Sequence, residues 1–528
     1  MAHSPTEIPK GPGNVIDTRP LYVEEWLDTL PYADFLRTAR LIEEATRATN
    51  GQPVKAVARL ELVKVYNRPY QYYVESQIRA GAQHTLQSIE TMQSQIGLMK
   101  QIAANLALAC RLSVDEALKQ KTGWGQTKPP LPALLGSMHY LSHAMIFGFL
   151  EYAPIPKDVW RQLHVIYEFA ESIQREMETI QVPGQTGITT NIAGAYKRIV
   201  LATLVDPHHL PFGAIWEIYE QLRHWAGHAQ LRAFEPVSAA GGCFIIDLDS
   251  DNRPMTTDKQ AQISAVKRAR ILDCAELGGI VEDQLDLLNA GQPLTTESRL
   301  SPYFARVVLG QMLRAWGVPP QRTFARESRS GTVGLVRGMA AVFFHSHGRK
   351  EFDPGRDPDS EDEDGLPAMA APGGTSSYQT EQWQLVDQGM GGFAVVSGER
   401  PPQTVRVGDL VAFASDISGR EEWTLGIIRW LMVRQAKSHR LGAQIVTGNI
   451  SAIAVRATTG SVQDRRFRRA LLIQGGNDKH AMALFTERGF HVKSRDLELR
   501  IGDQLRPARA GGLIEGSVAF ERFEIQLQ

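Results

Sequence analysis

Two arginine pairs in this sequence have the spacing Arg-x-x-x-Arg, which can place two guanidinium groups around one anion. Arg322 and Arg326 form the first pair, and Arg465 and Arg469 form the second. A guanidinium can fork onto a phosphate or onto the O6/N7 edge of a guanine, and it can also stack on the ring. Both pairs are therefore candidates for binding a phosphate or a guanine base. The alternative for the second pair is a solvated basic turn.

A glycine-rich turn lies downstream of the first arginine pair and offers a complementary acceptor. The segment Trp383 to Val396 is typical of a strand, a tight turn and a second strand. Within it, Asp387 can accept hydrogen bonds from a guanine N1/N2 edge or brace an arginine. Gly389 and Gly392 let a ligand and the backbone approach closely. We expect the first arginine pair and this turn to meet in space.

Two histidine pairs also have a spacing that could serve chemistry. His139 and His143 lie four residues apart on an expected helix, as do His224 and His228, and this spacing can place two imidazoles on one metal. Neither pair encloses the glutamate of an HExxH motif. We therefore expect buried or capping histidines and no metal site. The sequence also lacks GxxxxGK[ST], a GxGxxG after a strand, and GxSxG, so we expect a protein that is not an enzyme.

Composition indicates a globular protein of more than one domain. The 528 residues exceed what one hydrophobic core normally organises. The formal charge is -1, from 57 basic and 58 acidic side chains, so no chain-wide field would draw the protein onto DNA or an anionic membrane. The 3 cysteines form no CxxC pair, and the first residues lack the apolar run of a signal peptide. We expect a cytoplasmic protein.

The chain that must position these residues divides into a helical half and a β-rich half. Apolar residues recur at helical spacing from about residue 32 to residue 316. Two segments, residues 156–167 and 211–222, each follow a proline turn and place a tryptophan early in a helix. They suggest an array of helical hairpins, although amphipathic helices can look alike by chance. An uncharged run at residues 129–150 is long enough to span a membrane, but its polar residues favour a buried helix.

The texture changes after Pro319 and Pro320, where strands separated by glycine replace the helical period. We therefore predict an α+β multidomain protein. Its expected parts are a helical domain at residues 1–318 with a small β insertion near 241–255, an antiparallel β-barrel at 319–457, and a β-rich C-terminal element at 458–528. The barrel is expected to carry a disordered acidic loop at 348–378, which has too little apolar surface to offset its ordering entropy.

The C-terminal half resembles the PilZ domain, a small bacterial β-barrel that senses cyclic di-GMP. Three features carry the resemblance: the Arg-x-x-x-Arg segment, the turn from Asp387 to Gly392, and the later strands Gly426-Ile-Ile-Arg-Trp430 with Gly442-Ala-Gln-Ile. It implies that Arg322, Arg326, Asp387, Gly389 and Gly392 bind cyclic di-GMP as a regulatory ligand. Two features depart from the pattern: Gly389 replaces the usual serine, and roughly 60 residues separate the two motifs.

The resemblance implies a bacterial cytoplasmic signalling regulator, without a cofactor, whose helical half engages a protein partner. One alternative is a scaffold or adaptor with a degenerate PilZ-like barrel that binds no ligand. Another is a metal-dependent enzyme in the helical half. A further alternative concerns the site alone, in which Arg465 and Arg469 rather than the first pair supply the arginines.

Overall fold

The computed structural model divides into two compact units, Met1–Gln321 and Arg322–Gln528. The residues that it describes are 8, 10, 15–82, 89–119, 130–185, 187–236, 241–262, 266–295, 302–316, 327–353, 378–398, 405–417, 420–433, 438–459, 465–475, 482–517 and 519–528. Most of the acidic segment of the sequence, at 354–377, lies outside these residues.

The first unit is mainly helical. Its helices are α1 (Pro20–Asp28), α2 (Phe35–Asn50), α3 (Ala56–Ala82), α4 (Ile89–Lys119), α5 (Leu131–Leu150), α6 (Val159–Ser172), α7 (Ile192–Leu204), α8 (Ala214–Trp225), α9 (Ala275–Asn289) and α10 (Pro302–Trp316). Side-chain caps fix some helix starts: Asp34 accepts from the Arg37 amide at 3.1 Å, and Asn191 accepts from the Gly194 amide at 2.7 Å.

Helix α5 is the apolar centre of this unit. By length and composition it could cross a membrane, and 89% of its most apolar stretch is buried within the protein. It packs closely on α4 because Gly136 faces Cys110, where an added Cβ would lie only 2.7 Å from the thiol sulfur. The expected buried helix at residues 129–150 is thus present, and its polar residues are enclosed by other helices.

A small sheet interrupts the helices of the first unit. Two short strands, β1 (Ile180–Gln181) and β2 (Thr189–Thr190), pair with each other. The larger sheet has the order β3-β6-β4-β5, with β3 (Gln230–Ala233), β4 (Cys243–Asp247), β5 (Met255–Thr256) and β6 (Ala269–Asp273). The insertion predicted near 241–255 is wider than these bounds, because β6 pairs with both β3 and β4. The next helix, α9, begins only at Ala275.

The second unit contains two closed barrels of six strands each. The first has the order β10-β11-β12-β9-β8-β7 and the second the order β13-β14-β15-β18-β17-β16. The strands of the first barrel are β7 (Glu327–Arg337), β8 (Glu381–Gly389), β9 (Gly392–Ser397), β10 (Leu410–Ile417), β11 (Arg420–Val433) and β12 (His439–Ile445). Those of the second are β13 (Asn449–Ala457), β14 (Arg468–Gln474), β15 (Met482–Thr486), β16 (Asp496–Ile501), β17 (Gln504–Gly516) and β18 (Glu521–Leu527).

When the strands are numbered 1 to 6 within each barrel, both rings follow the same order, 1-2-3-6-5-4. The predicted bounds of the first barrel, 319–457, include residues 449–457. The strand Asn449–Ala457 instead pairs with β14 and β16 of the second barrel. Strands of both barrels have the same alternation of apolar residues, so this pattern could not show to which barrel residues 449–457 belong.

A helix packs between the two barrels. The strand β7 ends at Arg337, and α11 (Gly338–Ser346) follows it directly in a region where only strands were expected. Gly338 has φ +82°, a value that breaks the extended chain at low cost only for glycine. Residues of α11 and of both barrel walls form one buried apolar cluster, called the inter-barrel cluster below: Val336, Met339, Ala341, Val342, Phe343, Leu410, Ala412, Leu425, Ile427, Val446, Leu471, Ile473, Phe485 and Phe520. The predicted fold class, a helical half followed by β-barrels, is confirmed.

Candidate functional site

The glycine-rich turn joins β8 to β9 at one end of the first barrel. Gly389 and Gly392 are opposite each other in the register, with Met390 and Gly391 between them. A Cβ on Gly392 would lie 2.6 Å from the carbonyl oxygen of Ala443, which is on the neighbouring strand β12. Glycine at 392 is therefore what allows β9 to approach β12. The Met390 side chain is 75% exposed at the tip of the turn.

The register of β7 brings its first residues to the same turn. Glu327 is opposite Gln388, and Ser328 is opposite Asp387. Arg326 immediately precedes Glu327 in the chain, and Arg322 lies four residues earlier; both arginines are outside the described residues. The start of β7, which follows this segment in the sequence, therefore lies beside the turn.

One row of residues crosses five adjacent strands on the outer face of this barrel. Its members pair in the order Trp430, Gly442, Ala394, Asp387 and Ser328. Side chains directly opposite each other in an antiparallel sheet share a face. The adjacent residue Phe393 points the other way and packs on Phe413 inside the barrel, with ring centroids 3.9 Å apart. Asp387 and Trp430 therefore lie on the same outer wall, three strand spacings or about 14 Å apart.

An indole and a guanidinium lie at the far end of this row. A Cβ on Gly442 would lie 2.1 Å from the Trp430 Nε1 atom, so the Trp430 ring covers the glycine. The Arg440 guanidinium carbon is 5.8 Å from the Trp430 ring centroid. An indole face beside a cation is suited to stacking of a planar, electron-rich base. In the sequence, Trp430 and Gly442 are only marks of the family resemblance, and their spacing does not show that they lie on the same wall as the turn.

A second arginine also lies near the turn and was missed as a site residue. Arg429 donates from Nε to Gln444 Oε1 at 2.8 Å, and Gln444 is opposite Gly392 in the register. Its Nη2 donates to Glu515 Oε2 at 3.1 Å. Glu515 belongs to the second barrel and is 86 residues away in sequence. No local spacing could have revealed this contact.

Burial changes the pKa of two carboxyl groups in the first barrel. Burial raises the pKa of Asp409, while the Arg406 amide, which donates to it at 2.9 Å, opposes the shift. Burial likewise raises the pKa of Glu381, which accepts from the Trp383 indole at 3.3 Å. Both groups thus accept a hydrogen bond from a residue close in sequence.

The alternative arginines lie in the second barrel. Arg465 precedes β14, and Arg469 is the second residue of that strand. The Arg469 Nε atom is 3.7 Å from a Glu487 carboxylate oxygen, and its guanidinium carbon is 5.7 Å from the Phe352 ring centroid. The described contacts of Arg469 are thus with these residues and not with the glycine-rich turn.

The histidine pairs lie in the first, helical unit. His139 and His143 are fully buried in an aromatic cluster, and His143 Nδ1 lies 2.9 Å from the Tyr70 hydroxyl. Burial lowers the pKa of His139 to about 3, so this imidazole is neutral. His228 instead lies 2.7 Å from a Glu276 carboxylate oxygen. In the described ranges, no group of three potential metal ligands occurs.

Comparisons with known proteins match most of the chain. The family model for the N-terminal domain of the cyclic-di-GMP receptor FimW matches residues 22–236. The model for the middle PilZ domain of the same receptor matches residues 243–370 and 356–451, a region that includes both barrel motifs. The curated cyclic-di-GMP receptor FimW of Pseudomonas aeruginosa is 21% identical over 512 residues, which cover 87% of this chain and 82% of that protein. The chain therefore belongs to the family of PilZ-domain proteins that these two models describe.

Proposed function

We propose that this protein is a bacterial signalling regulator that binds cyclic di-GMP on the outer wall of its first barrel. The observation that carries the proposal is the pairing of Ser328 with Asp387, because it brings the start of β7, two residues after Arg326 in the sequence, beside the glycine-rich turn. The name of the Pseudomonas aeruginosa relative, a cyclic-di-GMP receptor, supports the same ligand.

The chemistry of the wall suits a guanine dinucleotide. Arg322 and Arg326 would fork onto the phosphates or onto the guanine O6/N7 edge. Asp387 would accept from guanine N1 and N2, groups that adenine lacks in that arrangement. Gly389 gives up the hydroxyl of the usual serine but keeps the position small, so the turn can still lie against the ligand. The proposal therefore predicts selectivity for guanine over adenine.

Calorimetric titration of the full chain tests this proposal. Cyclic di-GMP should bind at micromolar or lower concentration, and cyclic di-AMP should bind much more weakly. Arg322→Ala with Arg326→Ala should abolish the heat, and Asp387→Ala should weaken binding by roughly 10-fold or more, as expected when a charged hydrogen-bond partner is lost.

A matched control distinguishes a local site from general loss of positive charge. Arg509 lies on β17 of the second barrel, where it pairs with Asp496 at 2.8 Å. Arg509→Ala also removes one guanidinium but should leave the affinity unchanged. Absence of binding by the unaltered chain, or unchanged binding after loss of both arginines, would refute the proposal and favour a scaffold with a degenerate barrel.

We further propose that the protein acts in the cytoplasm and that its helical unit engages a protein partner. Large apolar side chains are exposed on the first and third helices, including Leu21 at 63% and Tyr72 at 57%. Leu21→Ser with Tyr72→Ser should disrupt crosslinking to the partner in cells while cyclic di-GMP affinity stays the same. Unchanged crosslinking would move the contact elsewhere, and a fluorescent fusion reports the compartment.

A further inference from the structure

Arg429 occupies an irregular position on the wall that carries the glycine-rich turn. The register of β11 against β12 shifts between Ile428 and Trp430, so Arg429 is the extra residue of a β-bulge. Bulges redirect a side chain out of the regular alternation, and they often occur beside functional sites. Here the bulge sends the guanidinium toward Gln444, the residue opposite Gly392. The guanidinium thus lies within two strand spacings, roughly 10 Å, of the turn.

The hydrogen bonds of Arg429 leave part of its donor capacity unused. It donates from Nε to Gln444 and from both Nη atoms to the two oxygens of Glu515. A guanidinium has five N–H groups, so these three bonds leave two for another acceptor. The Arg429 side chain is 37% exposed, whereas that of Glu515 is 20% exposed. Solvent, and therefore a ligand oxygen, reaches the arginine more readily than the glutamate.

The source of the carboxylate is also informative. Glu515 is on β17 of the second barrel, and the inter-barrel cluster fixes that barrel against the first. A fork onto both carboxylate oxygens orients a guanidinium plane far more strictly than a single bond does. The second barrel thereby sets the direction of an arginine that belongs to the first.

We infer that Arg429 is a further ligand-binding residue that contacts a phosphate of the cyclic dinucleotide, and that Glu515 of the second barrel is its positioning residue. This inference rests on the proposed function. It assigns to the second barrel a role in ligand affinity, although its own arginines lie elsewhere.

Titration of the full chain with cyclic di-GMP tests the assignment. Arg429→Ala should weaken binding by roughly 10-fold, since hydrogen bonds to a charged group have about that effect. Glu515→Gln keeps the shape of the side chain but removes its charge, and it should weaken binding by roughly 3- to 10-fold. In the Arg429→Ala background, Glu515→Gln should have no further effect, because the two residues act as one unit.

A second ion pair of the same unit provides the control. Arg456 Nε lies 2.7 Å from Glu498 Oε2 on β13 and β16, and the two side chains are 23% and 25% exposed. Glu498→Gln removes a comparable pair from the second barrel and should leave the affinity unchanged. A purely structural effect of losing an ion pair would instead change both variants alike.

The salt dependence of binding gives an independent readout. Arg429→Ala should flatten the decrease in affinity with ionic strength, since one cation–phosphate contact is lost. Glu515→Gln should keep the slope, because Arg429 remains. Melting temperatures are measured first, and the nearly isosteric Glu515→Gln variant decides the case if Arg429→Ala is less stable. Unaltered affinity in Glu515→Gln would overturn the inference, whereas no binding by the unaltered chain would refute the proposed function itself.

Discussion

Substitution of Gly392 by alanine should open the sheet at the turn of the first barrel. The added Cβ would lie 2.6 Å from the backbone carbonyl oxygen of Ala443, whereas ordinary contacts begin at 3.4 Å. The strands β9 and β12 would have to separate by about 0.8 Å, because a backbone atom cannot rotate away as a side chain can. A hydrogen bond of about 2.9 Å lengthened by this amount is no longer a hydrogen bond.

The cost of such overpacking is about 1–3 kcal/mol. For a unit of about 200 residues, each kcal/mol shifts the melting temperature by roughly 2–4 °C, so we expect a decrease of roughly 2–12 °C. Thermal melting of the full chain measures this shift. Hydrogen exchange should localise the change to peptides containing residues 389–397 and 439–445. Cyclic di-GMP affinity should decrease as well, since the turn is displaced.

The control is Gly398→Ala, just beyond the other end of the same strand. A Cβ at residue 398 would meet no atom within 4 Å, so this variant adds the same methyl group without a clash. We expect its melting temperature to match that of the unaltered chain. Equal melting temperatures for the two alanine variants would show that β9 and β12 do not need glycine, and the steric reasoning would be wrong.

Three further predictions concern other parts of the molecule. Burial lowers the pKa of His139 to about 3, so the unfolded chain binds a proton that the folded chain does not, and stability is lost as the pH falls below about 6.5. Burial also lowers the pKa of His143 and of His164, so several histidines contribute to the loss of stability between pH 7 and pH 5. In urea unfolding, this loss should be smaller by about 2 kcal/mol in His139→Leu, and an equal loss would contradict the reasoning. Gly442→Val should displace the indole of Trp430 and change tryptophan fluorescence, and the change should be absent in a Trp430→Phe background. Burial raises the pKa of the Cys110 thiol to about 12, so a thiol reagent should label the partly exposed Cys243 first; equal rates by mass spectrometry would contradict this.

The sequence predicted those parts of the structure that local signals determine. Turn residues marked the hairpin from Asp387 to Gly392, and the change from helical to alternating periodicity indicated the two halves. The helix Gly338–Ser346 was not predicted, because a short, mainly apolar run fits a buried strand or a buried helix equally well.

The sequence could not reveal contacts that depend on the order in which the strands pair and on the packing of the two barrels. The row from Trp430 to Ser328 exists only because five strands pair in one particular order and register. The fork between Arg429 and Glu515 requires, in addition, that a second barrel packs on the first. Such contacts join distant residues through tertiary structure, and hydrophobic periodicity carries no information about them.

The shared strand order of the two barrels has a consequence for dissecting the protein. In the second barrel, Leu471 and Phe485 lie on the second and third strands, the pair that forms the glycine-rich hairpin in the first barrel, and they are buried against the neighbour. The corresponding wall of the second barrel is thus buried in the contact between the two barrels. A truncated chain ending near residue 448 would expose apolar side chains such as those of Leu425 and Ile427 to solvent. We therefore expect it to aggregate. Experiments on the first barrel are therefore best done with the second barrel present.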